Sequence, residues 1–369
     1  MIDKIAKLTV KYNNKIVGYL VDLGDYKIAF QYDENWSKNG FSISPFSLPL
    51  SNKIFISDKL TFDGLFGVFY DSLPDGWGEL LLRRMLNKKG INFDKLSPLQ
   101  KLAIISKNGL GALTYEPNRP LENKTFKFDF DKFDKESKKI LNDDTKNKSL
   151  DEIYAFGGSS GGARPKSHIN INKEEWIIKF PCLIDPPDIG IIEYNTNKLA
   201  KECGINVNEF ALFPSNICSG YFGAKRFDRD KGKRLHMISL SAILETTHKI
   251  ANLDYYHLFQ VIQKICKNKK ENLIEAYKRM CFNVLCKNRD DHGKNFAFLY
   301  DEKLKSYVLS PAYDLTPTPN KIEHEMTVKG NPNPNESDML ELAKDFELPI
   351  FECKKIIDKI KNVTKKSQN

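Results

Sequence analysis

The sequence predicts an α+β protein in which an amino-terminal β-rich module precedes a two-lobed region. Three observations lead to this fold class. Residues 1–120 carry alternating apolar and polar runs, which are typical of half-buried strands. Residues 151–228 combine a glycine-rich stretch with further strand patterns. Residues 229–369 are predicted as a mainly helical lobe, and residues 121–150 as a polar connector between the module and the lobes.

Length and composition narrow the class of protein before any motif is considered. The 369 residues are enough for two or three domains. Since no apolar run is long enough to span a bilayer and the start lacks a signal-peptide pattern, we expect no membrane association and a cytoplasmic location. Seven cysteines without a C-x-x-C pair predict reduced thiols. The net charge of +9 accompanies abundant Lys, Asn and Ile, so a lysine-rich solvated surface explains it better than nucleic-acid binding.

The module begins with strands and ends with a helix and one more strand. Asn13 with Asn14, and Gly24 with Asp25, are turn signals between the first strands. Prolines make residues 44–50 an extended loop, and a helix is predicted from Asp75, whose side chain could cap it. The predicted strands cover residues 7–12, 16–21, 26–32 and 110–115. The connector that follows is predicted to be helical and to carry no site.

Residues 157–162, the glycine-rich loop, contain four glycines in six positions. Glycines allow backbone amides to approach a ligand closely, which suits a phosphate cradle. The spacing matches neither a Walker loop nor G-x-G-x-x-G, so a flexible linker is the alternative. The candidate phosphate-binding residues are Gly157, Gly158, Ser159, Ser160, Gly161 and Gly162.

A lysine lies near the end of the second of two predicted strands that follow this loop. Residues 168–171 and 175–181 form two predicted strands, and Lys179 near the end of the second has the setting of a kinase lysine that binds phosphates. A lysine snorkelling at a sheet edge is the alternative. A helix is predicted from Ile191 to a stop at Gly204, and Glu193 on it is either the partner of Lys179 or solvent-facing.

Two more strands, over residues 209–213 and 223–228, complete the first lobe. The second of them should lead into a hinge where backbone groups recognise adenine.

Residues 288–295, the catalytic loop, carry the strongest signal in the chain. Asp290 precedes Asn295 by five residues, the spacing at which protein kinases place a base and a magnesium ligand. A helical period over residues 273–285 precedes the loop, and a hairpin pattern over residues 296–309 follows it. For the isolated octapeptide, an ordinary solvated turn is the alternative.

Asp314 holds the position of a second metal ligand in this order of elements. Two carboxylates roughly 4 Å apart repel by about 4 kcal/mol at an effective dielectric near 20. A fold that brings Asp290 and Asp314 together therefore needs a cation, and magnesium with phosphates is the usual solution.

These motifs together resemble the HipA family, the serine/threonine kinase toxins of bacterial toxin–antitoxin pairs. The resemblance covers nearly the whole chain. The matching segments are residues 69–77, residues 109–117, the glycine-rich loop, Lys179, residues 226–229, the catalytic loop and residues 311–315.

The resemblance implies a HipA-like, protein-kinase-like fold that uses ATP and Mg2+. Asp290 would be the catalytic base, Asn295 and Asp314 would hold magnesium, and Lys179 would bind phosphates. His292 would lie near the nucleotide, and Lys225 to Phe227 would form the hinge.

Two positions of the resemblance concern regulation and affinity. Ser159 matches the serine that family members autophosphorylate, with Ser160 as the alternative. Relatives often carry Glu where this chain has Lys225. If the hinge recognises adenine through main-chain groups, this departure changes little; if it uses the Glu side chain, nucleotide affinity falls.

The family also implies partners and a biological role. Similar proteins phosphorylate aminoacyl-tRNA synthetases and stop translation, and a helix-turn-helix antitoxin commonly binds them and links them to operator DNA. Two alternatives stay open: a small-molecule phosphotransferase of kinase-like fold, and a non-catalytic scaffold that binds antitoxin and DNA. The intact set Lys179, Asp290, Asn295 and Asp314 favours an enzyme over the scaffold.

Overall fold

A computed structural model of the chain describes residues 3–57, 59–121, 126–142, 149–247 and 249–366. The described chain divides into two compact units. The first takes the chain up to Ile191 together with Phe210–Ile238 and Ala242–Thr246. The second takes Ile192–Glu209, Ser239–Ser241 and the chain from Thr247 onward. The predicted domain boundaries near residues 120, 150 and 228 stay predictions.

The first unit begins with a five-stranded antiparallel sheet of order β4-β3-β2-β1-β5. Alternate residues such as Leu8 and Val10 are fully buried, as the period of two predicts. Asn13 and Asn14 both have positive φ and make the tight turn between the first two strands. The strands are β1 Lys7–Tyr12, β2 Lys15–Asp22, β3 Ile28–Tyr32, β4 Ile54–Ser57 and β5 Leu113–Glu116.

Helices α1 to α6, which lie in the described chain up to Gly157, belong to the same unit. The helix predicted from Asp75 is present as α3, but the Asp75 side chain makes no capping bond and instead accepts from the Gly162 amide. The helical character predicted for the connector is confirmed at α5, and its role as a boundary stays a prediction. Residues 122–125 and 143–148 of the connector lie outside the described residues. The helices are α1 Glu34–Asn39, α2 Gly67–Tyr70, α3 Gly76–Lys88, α4 Pro98–Ile105, α5 Phe130–Leu141 and α6 Leu150–Gly157.

A second antiparallel sheet, of order β6-β7-β9-β8, follows the glycine-rich loop. It shares a hydrophobic core with α3 and α5, in which Trp77, Phe133, Phe180 and Tyr221 are buried. The predicted strand over residues 223–228 ends early, at Lys225, because the next residues leave the strand and the side chains of Arg226 and Asp228 form a buried ion pair. The strands of this sheet are β6 Lys166–Ile171, β7 Glu174–Lys179, β8 Phe210–Phe213 and β9 Tyr221–Lys225. Outside it, β10 Arg229–Asp230 and β11 Lys233–Arg234 pair with each other, and β12 Met237–Ser239 follows.

The second unit is mainly helical. Helix α10 packs against α9 and α12 and buries Leu273, Tyr277 and Met280, three of the residues that gave its predicted period. The predicted hairpin is present as β14 and β15, and β13 pairs with β16 in parallel. The helices that belong wholly to this unit are α9 Tyr255–Ile265, α10 Lys269–Cys286, α11 Glu336–Asp345 and α12 Ile350–Lys366. Two more helices are divided between the units: α7 Ile189–Glu202, which enters the second unit at Ile192, and α8 Leu240–Ile243, which leaves it after Ser241. The strands are β13 Leu253–Asp254, β14 Ala297–Asp301, β15 Ser306–Leu309 and β16 Met326–Thr327.

Within the described ranges, none of the helices combines the length and the apolar character needed to cross a lipid bilayer.

Candidate active site

The catalytic loop begins where α10 ends. Lys287 adopts the left-handed conformation at φ 56°, and its amide donates to the carbonyls of Asn283 and Val284. Asn288 is buried, and its side-chain amide donates both to Asn283 Oδ1 at 3.0 Å and to the Asp314 carbonyl at 3.3 Å. One buried asparagine therefore ties the helix end to the segment that carries Asp314.

Asp290 and Asn295 are joined across the turn of the loop. The Asn295 side-chain nitrogen donates to the Asp290 carbonyl at 2.7 Å, which fixes the amide and leaves Oδ1 as its acceptor atom. The Asp290 side chain is 44% exposed, so its carboxylate is accessible from solvent. The structure thus brings Asp290, Asn295 and Asp314 onto one cluster of loops in the second unit.

The donor set suits magnesium. Asp314, at φ 54°, offers a carboxylate, and Asn295 offers an amide oxygen. Within the described part of the chain, no group of three or more His, Cys, Asp or Glu side chains is arranged so that it could hold a metal ion by itself. Magnesium matches a sparse protein set, because it commonly takes one or two carboxylates and completes its shell with phosphates and water.

Asp291, the neighbour of Asp290, was missed by sequence reasoning. It is 1% exposed, and its carboxylate accepts from Tyr255 Oη at 2.8 Å, from His324 Nδ1 at 2.9 Å and from the Glu325 amide at 3.0 Å. Burial, reinforced by the charge of Asp291, raises the pKa of Tyr255 well above its usual value, so the phenol stays a donor. Asp291 therefore anchors the loop, while Asp290 faces outward.

Lys321 is a second residue that sequence reasoning missed. Its ammonium group donates to Asp290 Oδ1 and, at 2.7 Å, to Glu325 Oε1. Burial on its own would lower the pKa of Lys321, but the hydrogen bonds to Asp290 and Glu325 outweigh it and raise that pKa. The candidate base thus has a cationic partner from a later part of the chain.

His292 stands next to these residues, at the start of a short 3₁₀ turn. Its Nδ1 accepts from the Lys294 amide at 3.2 Å. Its predicted place near the nucleotide stays a prediction.

In the first unit, the glycine-rich loop packs on residues 75–78, which we call the loop seat. The Gly162 amide donates to the Asp75 carboxylate, and the Trp77 amide donates to the Gly162 carbonyl at 2.9 Å. A Cβ on Gly76 would lie 2.4 Å from the Gly162 oxygen, and one on Gly78 would lie 2.1 Å from the Ser160 oxygen. Both positions therefore require glycine, and the Gly162 amide is directed at Asp75.

The two serines of the loop differ in their surroundings. Ser160 is fully buried, and its hydroxyl donates to the Gly157 carbonyl at 2.6 Å. Ser159 is partly buried, and its hydroxyl lies 3.3 Å from His168 Nδ1. Burial, together with the Arg226 charge, holds the pKa of His168 well below its usual value, so this ring is neutral.

The structure also gives the positions of the residues predicted to bind phosphates (Lys179), to form the hinge (Lys225 to Phe227) and to pair with the lysine (Glu193). Lys179 ends β7, with its ammonium 5.7 Å from the centre of the Phe222 ring. Lys225 ends β9 and pairs with Glu174, and Phe227 follows as a partly buried residue. Glu193 is 4% exposed, which contradicts the solvent-facing alternative. Because Lys179 belongs to the first unit and Glu193 to the second, their pairing stays a prediction.

Two family models match this chain. The HipA N-terminal domain matches residues 8–116, and the HipA-like C-terminal domain matches residues 158–367. The chain belongs to the HipA family. A HipA solved from Shewanella oneidensis MR-1, in complex with HipB and its operator DNA, has 21% sequence identity and a TM-score of 0.71. That match covers 96% of this chain and 88% of the other. The predicted α+β, HipA-like fold with an amino-terminal β-rich module is confirmed.

Two curated relatives are named as putative kinases. Putative kinase Y4dM of Sinorhizobium fredii is 27% identical over 169 residues, which is 42% of this chain and 40% of the relative. A putative kinase of Haemophilus influenzae is 28% identical over 179 residues, which is 43% of this chain and 52% of the relative. The matched segments thus span about half or less of the length of these two relatives.

Proposed function

We propose that this HipA-family protein is an ATP- and magnesium-dependent serine/threonine protein kinase that acts as a toxin. The observation that carries the proposal is the loop cluster of Asp290, Asn295 and Asp314, which Asn288 and the Asn295 amide hold in place. The names of the two relatives point the same way.

In this proposal each residue of the cluster has a separate task. Asp290 accepts the proton of the attacking hydroxyl, and the amide oxygen of Asn295 and the carboxylate of Asp314 hold the metal ion. Magnesium, when bound, offsets negative charge on the phosphates. Lys179 and the glycine-rich loop bind phosphates, residues 225–227 contact the base of the nucleotide, and His292 lies near it.

The partners are proposed from a solved relative and from the family resemblance. The Shewanella HipA was solved with HipB and operator DNA, which supports an antitoxin as a partner here, with operator DNA reached through it. An aminoacyl-tRNA synthetase as substrate and a cytoplasmic location rest on the family resemblance.

Incubating the purified protein with ATP and either synthetases or small alcohols tests the proposal. Transfer to alcohols alone would favour a small-molecule phosphotransferase, and no turnover would favour a scaffold.

Replacing Asp314 by asparagine is expected to weaken magnesium-dependent ATP binding by about 10- to 100-fold, the loss typical of damage to a metal shell. Asparagine tolerates the left-handed backbone at φ 54°, so the change removes charge without strain. Calorimetric titration with ATP, with and without magnesium, measures the effect, and the exposed Asp358→Asn variant is the control. Equal ATP affinity with and without magnesium in wild type and variant would contradict the assignment.

Ser159 is expected to become phosphorylated slowly, and the modified protein is expected to bind ATP poorly. A phosphate adds roughly −1.5 to −2 charges at neutral pH, which would repel the phosphates of ATP from the same loop. Arg164 is already paired with Asp185 through Nε at 2.8 Å and Nη2 at 2.9 Å, so it would have to leave Asp185 to hold the phosphoserine.

Peptide mass spectrometry after incubation with ATP and magnesium checks this expectation. Ser159→Ala should abolish the modification, and the matched Ser160→Ala variant should retain it, because Ser160 is buried. If neither serine were modified in the wild type, or if the phosphorylated form bound ATP fully, the idea would fail.

A further inference from the structure

Residues 316–325, which lie just after Asp314 in the chain, are hydrogen-bonded to the catalytic loop at several points. Arg289 Nη1 donates to the Lys321 carbonyl at 2.7 Å, and the Arg289 amide donates to Thr318 Oγ1 at 2.8 Å. At the far end, the Glu325 amide donates to buried Asp291 at 3.0 Å. The backbone that carries Lys321 is therefore positioned by bonds on both sides.

The Lys321 ammonium bridges two carboxylates, Asp290 and Glu325. Its side chain is 37% exposed, and those of Asp290 and Glu325 are 44% and 27% exposed. An isolated ion pair at such exposure contributes little to stability, because ordering two side chains offsets the attraction. Here the backbone around Lys321 and Glu325 is already ordered, so the bridge fixes the Asp290 carboxylate at a smaller entropic cost.

We propose that Lys321 is a positioning residue for phosphoryl transfer, which orients the Asp290 carboxylate through Oδ1. The proposal rests on the proposed kinase function. With Oδ1 bound to Lys321, Oδ2 is the atom that receives the proton of the attacking hydroxyl. The hydroxyl oxygen forms the new bond to the γ-phosphorus of ATP, the bond from that phosphorus to the β,γ-bridging oxygen breaks, and its electron pair leaves with ADP.

Glu325 accounts for the geometry of the bridge. A lysine paired with Asp290 alone could swing around the carboxylate, because an ammonium group is a compact charge without a directional fork. A second carboxylate, on a residue anchored to Asp291 and next to β16, holds the ammonium from the other side. Lys321 can thus act on one oxygen of Asp290.

The test compares Lys321→Met and Lys321→Arg with the exposed Lys354→Met variant as a matched control. The readouts are the single-turnover rate of phosphate transfer from γ-labelled ATP to the protein itself and the Kd for ATP with magnesium. Lys321→Met should lower the rate about 10- to 100-fold, in line with the effect of misplacing a reacting group, and should leave the Kd within about twofold. Lys321→Arg should recover most of the rate, and Lys354→Met should match wild type.

Thermal melting of each variant distinguishes a folding defect from a positioning defect. Three results would each overturn the inference while leaving the proposed function standing. The first is transfer by Lys321→Met at the wild-type rate, and the second is a fall in its transfer rate that a weaker Kd or a lower melting temperature explains wholly. The third is a Lys321→Arg variant as slow as Lys321→Met. A wild type that transfers no phosphate would contradict the proposed function and the inference with it.

Discussion

Replacing Asp290 by asparagine is expected to lower phosphoryl transfer by about 10²–10⁴-fold, the usual contribution of a general base. The amide has nearly the same size and can still accept a hydrogen bond from Lys321, but it cannot take the proton of the attacking hydroxyl. Because the Asp290 side chain is 44% exposed, the fold and ATP binding should be retained. Single-turnover transfer, ATP affinity and thermal melting together measure these three properties.

The adjacent Asp291→Asn variant is compared with Asp290→Asn, because the same chemical change is made at a buried and at an exposed aspartate. Asp291 is buried and accepts from Tyr255, His324 and the Glu325 amide, so its charge serves the structure of the loop. An amide group in its place would present donor hydrogens to groups that already donate. We expect Asp291→Asn to lower the melting temperature, whereas Asp290→Asn leaves it unchanged. Undiminished transfer by Asp290→Asn would remove Asp290 from its proposed role.

Replacing Asp228 by alanine is expected to destabilise the first unit by about 3–5 kcal/mol, the cost of breaking a buried ion pair. The Asp228 carboxylate accepts from Arg226 Nη2, Arg229 Nη1 and the Gly111 amide, each at 2.7 Å. The side chains of Arg226 and Asp228 are 2% and 4% exposed. Without Asp228, the guanidinium groups of Arg226 and Arg229 would stay positively charged but would lose the carboxylate that they share.

The stability that Asp228→Ala loses should depend on pH in a defined direction. Burial on its own would raise the pKa of Asp228, but the Arg226 and Arg229 charges outweigh it and hold that pKa well below its ordinary value. A lowered pKa in the folded state means that the carboxylate stabilises the fold above the unfolded pKa of about 3.9. That contribution is lost as the pH falls from there through the folded pKa.

Urea unfolding at neutral pH and near pH 3 checks both statements, with the exposed Asp230→Ala variant as control. The gap between wild type and Asp228→Ala should be smaller at the acidic pH. A gap that widens in acid, or an Asp228→Ala variant as stable as Asp230→Ala, would show that the pair does not stabilise the unit.

Local patterns predicted much of the fold and the outward-facing part of the site. The first three strands and α10 follow from periodicity, since burial on one face leaves a regular trace in the sequence. Asp290 and Asn295 could be paired because five positions of one loop separate them. Their predicted chemical roles stay predictions.

Long-range contacts could not be predicted in this way. Asp291 meets Tyr255 across 36 positions of the chain, and Asp75 meets Gly162 across 87. Such pairs leave no period, so two adjacent aspartates look alike until the fold shows which one is buried. For Asp75, the local rule of helix capping gave the right helix but the wrong partner, because the tertiary contact replaced the cap.

The loop seat bears on how this chain can recombine with its relatives. Residues 75–78 lie within the segment matched by one family model, and the glycine-rich loop that they contact lies almost wholly within the segment matched by the other. A crossover between those segments would join a seat and a loop that had diverged in separate lineages. Since neither Gly76 nor Gly78 has room for a Cβ, a hybrid with a side chain at either position would push the loop away from α3. The two segments are therefore expected to be inherited together, although Asp75 and Gly162 lie 87 positions apart in the chain.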